Sequence, residues 1–216
     1  MLKLTLGETA SSYSILAIGC HPDDIEIGCG GTILHLIDSL PSVEVCWVVL
    51  SGRGERADEV RHSADAFLEN AERRRVIVRD FRDGFFPYDG GQIKGFFEDL
   101  KLKISPDLIF THFRNDLHQD HRVASELTWN TFRDHLVLEY EVPKYDGDFG
   151  SPNVFFHLSE SVSNRKVENL LTFFQSQRER HWFKEDLFRS VLRLRGMESN
   201  SPSRNAEAFY GRKVVL

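Results

Sequence analysis

His21 and Asp24 stand three residues apart in the run His21-Pro22-Asp23-Asp24-Ile25-Glu26, and His118 and His121 repeat that spacing far along the chain. Each pair falls where a turn leaves a strand or a loop enters a helix, so both side chains of a pair can converge on one point. Two imidazoles and one carboxylate from two loops can hold a divalent metal and leave positions open, as a catalytic site does. Zinc suits such donors. Fe(II) suits a two-histidine, one-carboxylate set too, which keeps an iron oxygenase as an alternative. Bound zinc lowers the pKa of its water from about 16 to about 7, giving a nucleophile at neutral pH. Asp23 adjoins Asp24, and like charges repel unless a cation neutralises them. Neighbours on a turn point differently, so one aspartate can ligate while the other faces the reacting water. Plainer roles exist for the same residues: His118 capping a helix start, and Asp23 and Asp24 as carboxylates at a helix N-terminus.

These residues need elements to hold them. Short apolar runs at 14–20, 43–51, 75–81, 107–112 and 136–142 read as strands, and 32–39, 55–70, 95–104 and 120–134 read as helices between them. That alternation implies an α/β fold: a Rossmann-like, mostly parallel sheet with helices on both faces. The remainder changes character, with a strand at 152–158, helices at 162–175 and 181–195, and a last strand at 212–216. It reads as a C-terminal α/β extension that shapes the pocket, within one domain spanning 1–216. In such a sheet ligands collect beyond the carboxyl ends of the strands. Four post-strand loops there carry His, Asp and Arg: 21–26, 51–56, 83–84 and 115–121. The other histidines, His35, His62, His112, His135, His157 and His181, read as structural, His112 being placed to stand behind a ligand. Gly28-Cys29-Gly30-Gly31-Thr32 is not a dinucleotide fingerprint, because Ile33 occupies the third glycine position and Glu44 comes too early to reach a ribose. Its glycines are expected to let the first helix approach the sheet closely.

Composition narrows the classes. At 41% hydrophobic and 28% charged the chain is neither disordered nor collagen-like. Its apolar runs are far shorter than the ~20 residues of a membrane-spanning helix, so no membrane anchor is expected. A net charge of -6 argues against nucleic acid as partner. The three cysteines, Cys20, Cys29 and Cys46, fit no disulfide framework, and residues 1–14 show no signal peptide, so a cytoplasmic location is expected.

HPDD-x-E after the first strand, with HxxDH before a late helix, resembles the PIG-L/LmbE family of metal-dependent deacetylases. That family includes the enzymes that deacetylate N-acetylglucosaminyl-phosphatidylinositol and the bacterial deacetylases of mycothiol and bacillithiol pathways. The resemblance runs from about residue 15 to 142, with a weaker echo in Ala206-Glu207-Ala208-Phe209. It implies that His21, Asp24 and His121 ligate zinc, that Asp23 is the general base, and that a cationic His118 stabilises the oxyanion of the tetrahedral intermediate. It implies substrate contacts for Arg56, with Arg53 and Arg61 close by, and for Asp83, and a role for Asp120 behind the ligands, orienting a histidine. The mycothiol enzyme has a tyrosine near the first histidine of this motif; here the neighbours are Asp116 and Leu117, so that role does not carry over. The expected substrate is a small N-acetylated amino sugar or its conjugate, and self-association would fit the family. An amidase for longer acyl chains or non-sugar amides, and a non-catalytic carbohydrate- or nucleotide-binding module, are the alternatives. Phe85-Phe86-Pro87-Tyr88 could wall the pocket or fill the core, and residues 140–144 mark where a lid would lie.

Overall fold

Residues 12–215 are described in a computed structural model of the chain. Its strands are β1 (Tyr13–Gly19), β2 (Val43–Val49), β3 (Arg73–Val78), β4 (Leu108–His112), β5 (Leu136–Tyr140), β6 (Val154–His157) and β7 (Ala206–Gly211). They form one sheet in the order β3-β2-β1-β4-β5-β7-β6. The first five are parallel, and β7 and β6 continue the sheet antiparallel. Crossovers run through α1 (Asp24–Ser39), α2 (Glu55–Phe67), α3 (Phe86–Lys101) and α4 (Gln119–Thr131), and α5 (Glu160–Phe173) and α6 (Glu185–Glu198) lie between β6 and β7.

The period-two pattern of the strands explains the layers. Ile15 and Ala17 of β1, with Val45 and Trp47 of β2, face a core shared with α1, α2, α5 and α6. Leu16 and Ile18, with Cys46 and Val48, face a second core with α3 and α4. A strand buried on both faces must be apolar at nearly every position, and β1 and β2 are.

Several element boundaries differ from the sequence reading. The first helix begins at Asp24, eight residues before the expected start, so the glycine run lies inside it. The expected close approach is what makes those glycines tolerable: a Cβ on Gly28 would lie 2.1 Å from the Tyr140 ring, and one on Gly30 would lie 2.7 Å from Phe67. α3 starts at Phe86, with Pro87 in its first turn, where the missing N–H costs nothing. The last strand is Ala206–Gly211; the expected strand at 212–216 does not form over 212–215, and Leu216 lies outside the described residues, as does most of the segment read for a signal peptide. All three cysteines are free and buried, and no helix among the described residues is long and apolar enough to cross a membrane.

Candidate metal centre and active site

β1 ends at Gly19, and the chain turns sharply into α1. Asp23 caps that helix with φ of 93°, a left-handed conformation that aspartate tolerates better than most side chains. The twist sends neighbouring carboxylates in different directions. Asp24 Oδ2 accepts the His21 N–H at 2.7 Å and faces inward to the imidazoles, while one Asp23 oxygen is buried without a hydrogen-bond partner among the described residues. The second loop follows β4 and ends at His118, which caps α4, its Nδ1 accepting the Asp120 N–H. The plain capping role foreseen for His118 therefore holds alongside any chemical one, whereas the Asp23 carboxylate, though at the N-cap position, makes no cap hydrogen bond.

The two loops meet. His21 Nδ1 lies 3.4 Å from Asp24 Oδ2 and 3.2 Å from His121 Nε2, and His121 Nε2 lies 3.6 Å from Asp24 Oδ2. Three donors each about 2.1 Å from a tetrahedral metal sit about 3.4 Å apart, so this triangle fits one ion. The outer nitrogens are held as such ligands require: His21 Nε2 faces Asp120 Oδ2 at 3.2 Å, and His121 Nδ1 faces Asp116 Oδ2 at 2.9 Å. Charge balance agrees. Burial alone would disfavour a cationic His21, yet Asp24, Asp120 and Asp83 together raise its pKa well above the ordinary value. The pocket thus demands positive charge, which a divalent cation supplies in place of the proton. Burial, then His112, pushes His121 down to about 3, leaving it neutral and free to ligate.

A second group, Cys20, Asp24, His112 and His121, also brings ligating atoms together. It is the poorer set. Burial raises the Cys20 thiol far above the range where thiolate forms, and the His112 Nε2 already takes the Cys20 N–H at 3.0 Å. His112 instead backs the site, 3.2 Å from Asp24 Oδ2 and stacked on His121 at 3.8 Å between ring centroids.

Around the triangle, burial and then Asp24 raise Asp23 well above the usual carboxylate range, with Arg56 opposing. The His118 ring lies 4.9 Å from that of His21 and 4.6 Å from that of His121. Burial and His21 lower its pKa, and its Nδ1 accepts the Asp120 N–H, which leaves Nε2 to carry the ring N–H. Of the three neighbouring arginines, Arg56 turns to the site, donating to the Pro22 carbonyl and lying 3.9 Å from Asp83. Arg53 donates to the Asp80 carbonyl and Arg61 pairs with Asp58, both away from it. Asp83 touches His21 Nε2 at 3.1 Å and is more than half exposed, so it borders both a ligand and solvent. Asp120 is fully buried and also takes the N–H groups of Gly84 and Phe86, tying the post-β3 loop to the centre.

Sequence reading missed two residues. Asp116 receives the His118 N–H at 2.8 Å as well as holding His121, and Lys144 donates to Asp116 at 2.8 Å and to Asp148 at 2.7 Å. Asp116 was visible as the acid opening Asp116-x-His118-x-Asp120-His121; nothing near Lys144 marks it. Of the expected lid region, Tyr140 and Val142 are core, and Lys144 anchors the following loop. Phe86 is core, whereas Phe85 and Tyr88 are exposed.

Among known proteins, an uncharacterized deacetylase of Escherichia coli K12, YaiS, is 30% identical over 166 residues, covering 72% of this chain and 88% of that one. The N,N'-diacetylchitobiose deacetylase of Pyrococcus horikoshii superposes with a TM-score of 0.68 at 18% identity, over 93% of this chain and 84% of that one. The 4-carboxy-2-hydroxymuconate hydratase GalB of Pseudomonas putida superposes with 0.71 at 17% identity, over 94% and 98%. These two share the fold, and the fold by itself does not choose between their chemistries. The profile of the GlcNAc-PI de-N-acetylase family, PIG-L, matches residues 16–132, more than half of the chain, and the chain belongs to that family.

Proposed function

We propose that the protein is a zinc-dependent hydrolase that removes the acetyl group from an N-acetylated amino sugar or its conjugate. The observation that carries the reading is the triangle of His21 Nδ1, Asp24 Oδ2 and His121 Nε2, closed to 3.2–3.6 Å, with a buried, unpartnered Asp23 oxygen and the His118 imidazole beside it. These three side chains would hold the metal, with Fe(II) the alternative to zinc. The metal, when bound, acts as a Lewis acid that polarises the amide carbonyl and acidifies water.

The chain's own groups do the rest. Asp23, its basicity raised by burial and by Asp24, takes a proton from the attacking water and returns it to the departing nitrogen. His118 donates its Nε2–H to the acyl oxygen as negative charge grows there, a donor aimed in advance by its bond to the Asp120 N–H. Arg56 and Asp83, at the open side, meet sugar hydroxyls. The buried free thiols fit a reducing compartment, and the enzyme would work in the cytoplasm.

The test is acetate release from a panel of acetylated amino sugars, free and nucleotide-linked, with and without chelator. Release that a chelator stops and zinc restores supports the reading. If no sugar in the panel loses acetate while longer acyl amides do, the amidase alternative replaces it.

A further inference from the structure

Toward the C-terminal end of α4 lies a cleft of about 480 Å³ lined by Arg114, Arg133, Arg212 and Lys213 around Trp129, with Glu126 also in its lining. We propose that this cleft binds a small, multiply charged anion of the phosphate class. Four cations share the cleft in a chain whose net charge is -6. Some arginines elsewhere are answered by acids, among them Arg61 by Asp58, Arg165 by Asp38, Arg189 by Glu185 and Arg195 by Glu141. Here Arg133, Arg212 and Lys213 have no carboxylate partner among the described residues, and Arg114 has only Glu139, at 3.9 Å.

Glu139 offsets part of this charge through Arg114. It is fully buried and takes the Trp129 indole N–H at 2.5 Å and the Arg114 backbone N–H at 3.0 Å. The tryptophan so fixed carries the Arg212 guanidinium over its ring at 4.2 Å, with the Lys213 ammonium at 5.6 Å. A guanidinium held on an aromatic face has lost its freedom before a ligand arrives and offers a planar fork suited to phosphate oxygens. Lys213 donates to the Arg133 carbonyl, which draws the last two cations together. Like charges gathered this way repel, and a dianion would relieve the repulsion. The volume suits a small molecule rather than a polymer surface. Arg114 stands two residues before Asp116, so the cleft and the catalytic loop are continuous in the chain.

Inorganic pyrophosphate, titrated into the intact protein by calorimetry, tests the site without any appeal to deacetylation, so its outcome is separable from that of the proposed function. Saturable binding is expected, weakened about ten-fold or more in R133A/K213A and unchanged in R61A, with thermal unfolding showing that both variants are folded. No saturable binding up to about 1 mM, or equal affinity in R133A/K213A, overturns the proposal. Kinetics then tell which molecule brings the phosphate. If R133A/K213A raises KM for a phosphate-bearing acetylated amino sugar and not for an uncharged one, the cleft serves the substrate. If both KM values hold while pyrophosphate binding is lost, it serves a separate ligand.

Discussion

Replacing Asp116 with asparagine probes the support behind the candidate ligand His121. The carboxylate is 2% exposed and makes three contacts: 2.9 Å to His121 Nδ1, 2.8 Å to the Lys144 ammonium and 2.8 Å from the His118 N–H. Asparagine keeps the shape, and its one acceptor oxygen can still take the His118 N–H. Its amide nitrogen then faces His121 Nδ1–H and Lys144, donors against donors. Hydrogen bonds to buried charge are worth about 1.5–3 kcal/mol, and losing a carboxylate behind a metal-ligating histidine typically costs about 10–100-fold in metal affinity. Asp116→Asn should therefore weaken zinc affinity by about 10–100-fold, with turnover falling in proportion at limiting zinc. Competition with a chromogenic chelator measures it. Affinity within about two-fold of the parent protein would refute the idea that Asp116 sets His121 for a metal.

Asp23→Asn and His118→Ala should keep one metal per chain by elemental analysis yet lose about 10²–10³-fold in kcat, as expected for a lost base or acyl-oxygen donor; near-normal turnover in either removes that residue's role. Gly28→Ala should destabilise by about 1–2 kcal/mol in urea, because the clash with Tyr140 outweighs the roughly 1 kcal/mol gain in helix propensity. That ring is fully buried and its hydroxyl donates to the Ile18 carbonyl at 2.6 Å, so it cannot step aside; an unchanged midpoint would contradict this packing. Lys166→Met should cost about 3–5 kcal/mol by stranding Glu207, which is buried and accepts the Gly31 and Thr32 N–H groups, and K166M/E207Q should recover part of the loss.

The parallel core of the sheet was legible because β1, β2 and β4 are short, apolar and separated by helical periods. The convergence of the two histidine loops followed from their places after β1 and β4, which are neighbours in the sheet. The start of α1 was not legible: glycine disfavours helix in isolation, and only contact with Tyr140 and Phe67 makes Gly28 and Gly30 suit one. The antiparallel β7 hid for a related reason. Its Glu207 points to a buried Lys166 from α5, a partner distant in sequence, so nothing local marked 206–211 as the last strand. Lys144 was invisible because its role depends on Asp116 and Asp148 meeting across two loops.

Anomalous diffraction at the zinc edge, from crystals grown with zinc, addresses the metal directly. One peak is expected about 2.0–2.2 Å from each of His21 Nδ1, Asp24 Oδ2 and His121 Nε2. A peak coordinated instead by Cys20 and His112, or no peak among these side chains at full zinc occupancy of the solution, would contradict the account.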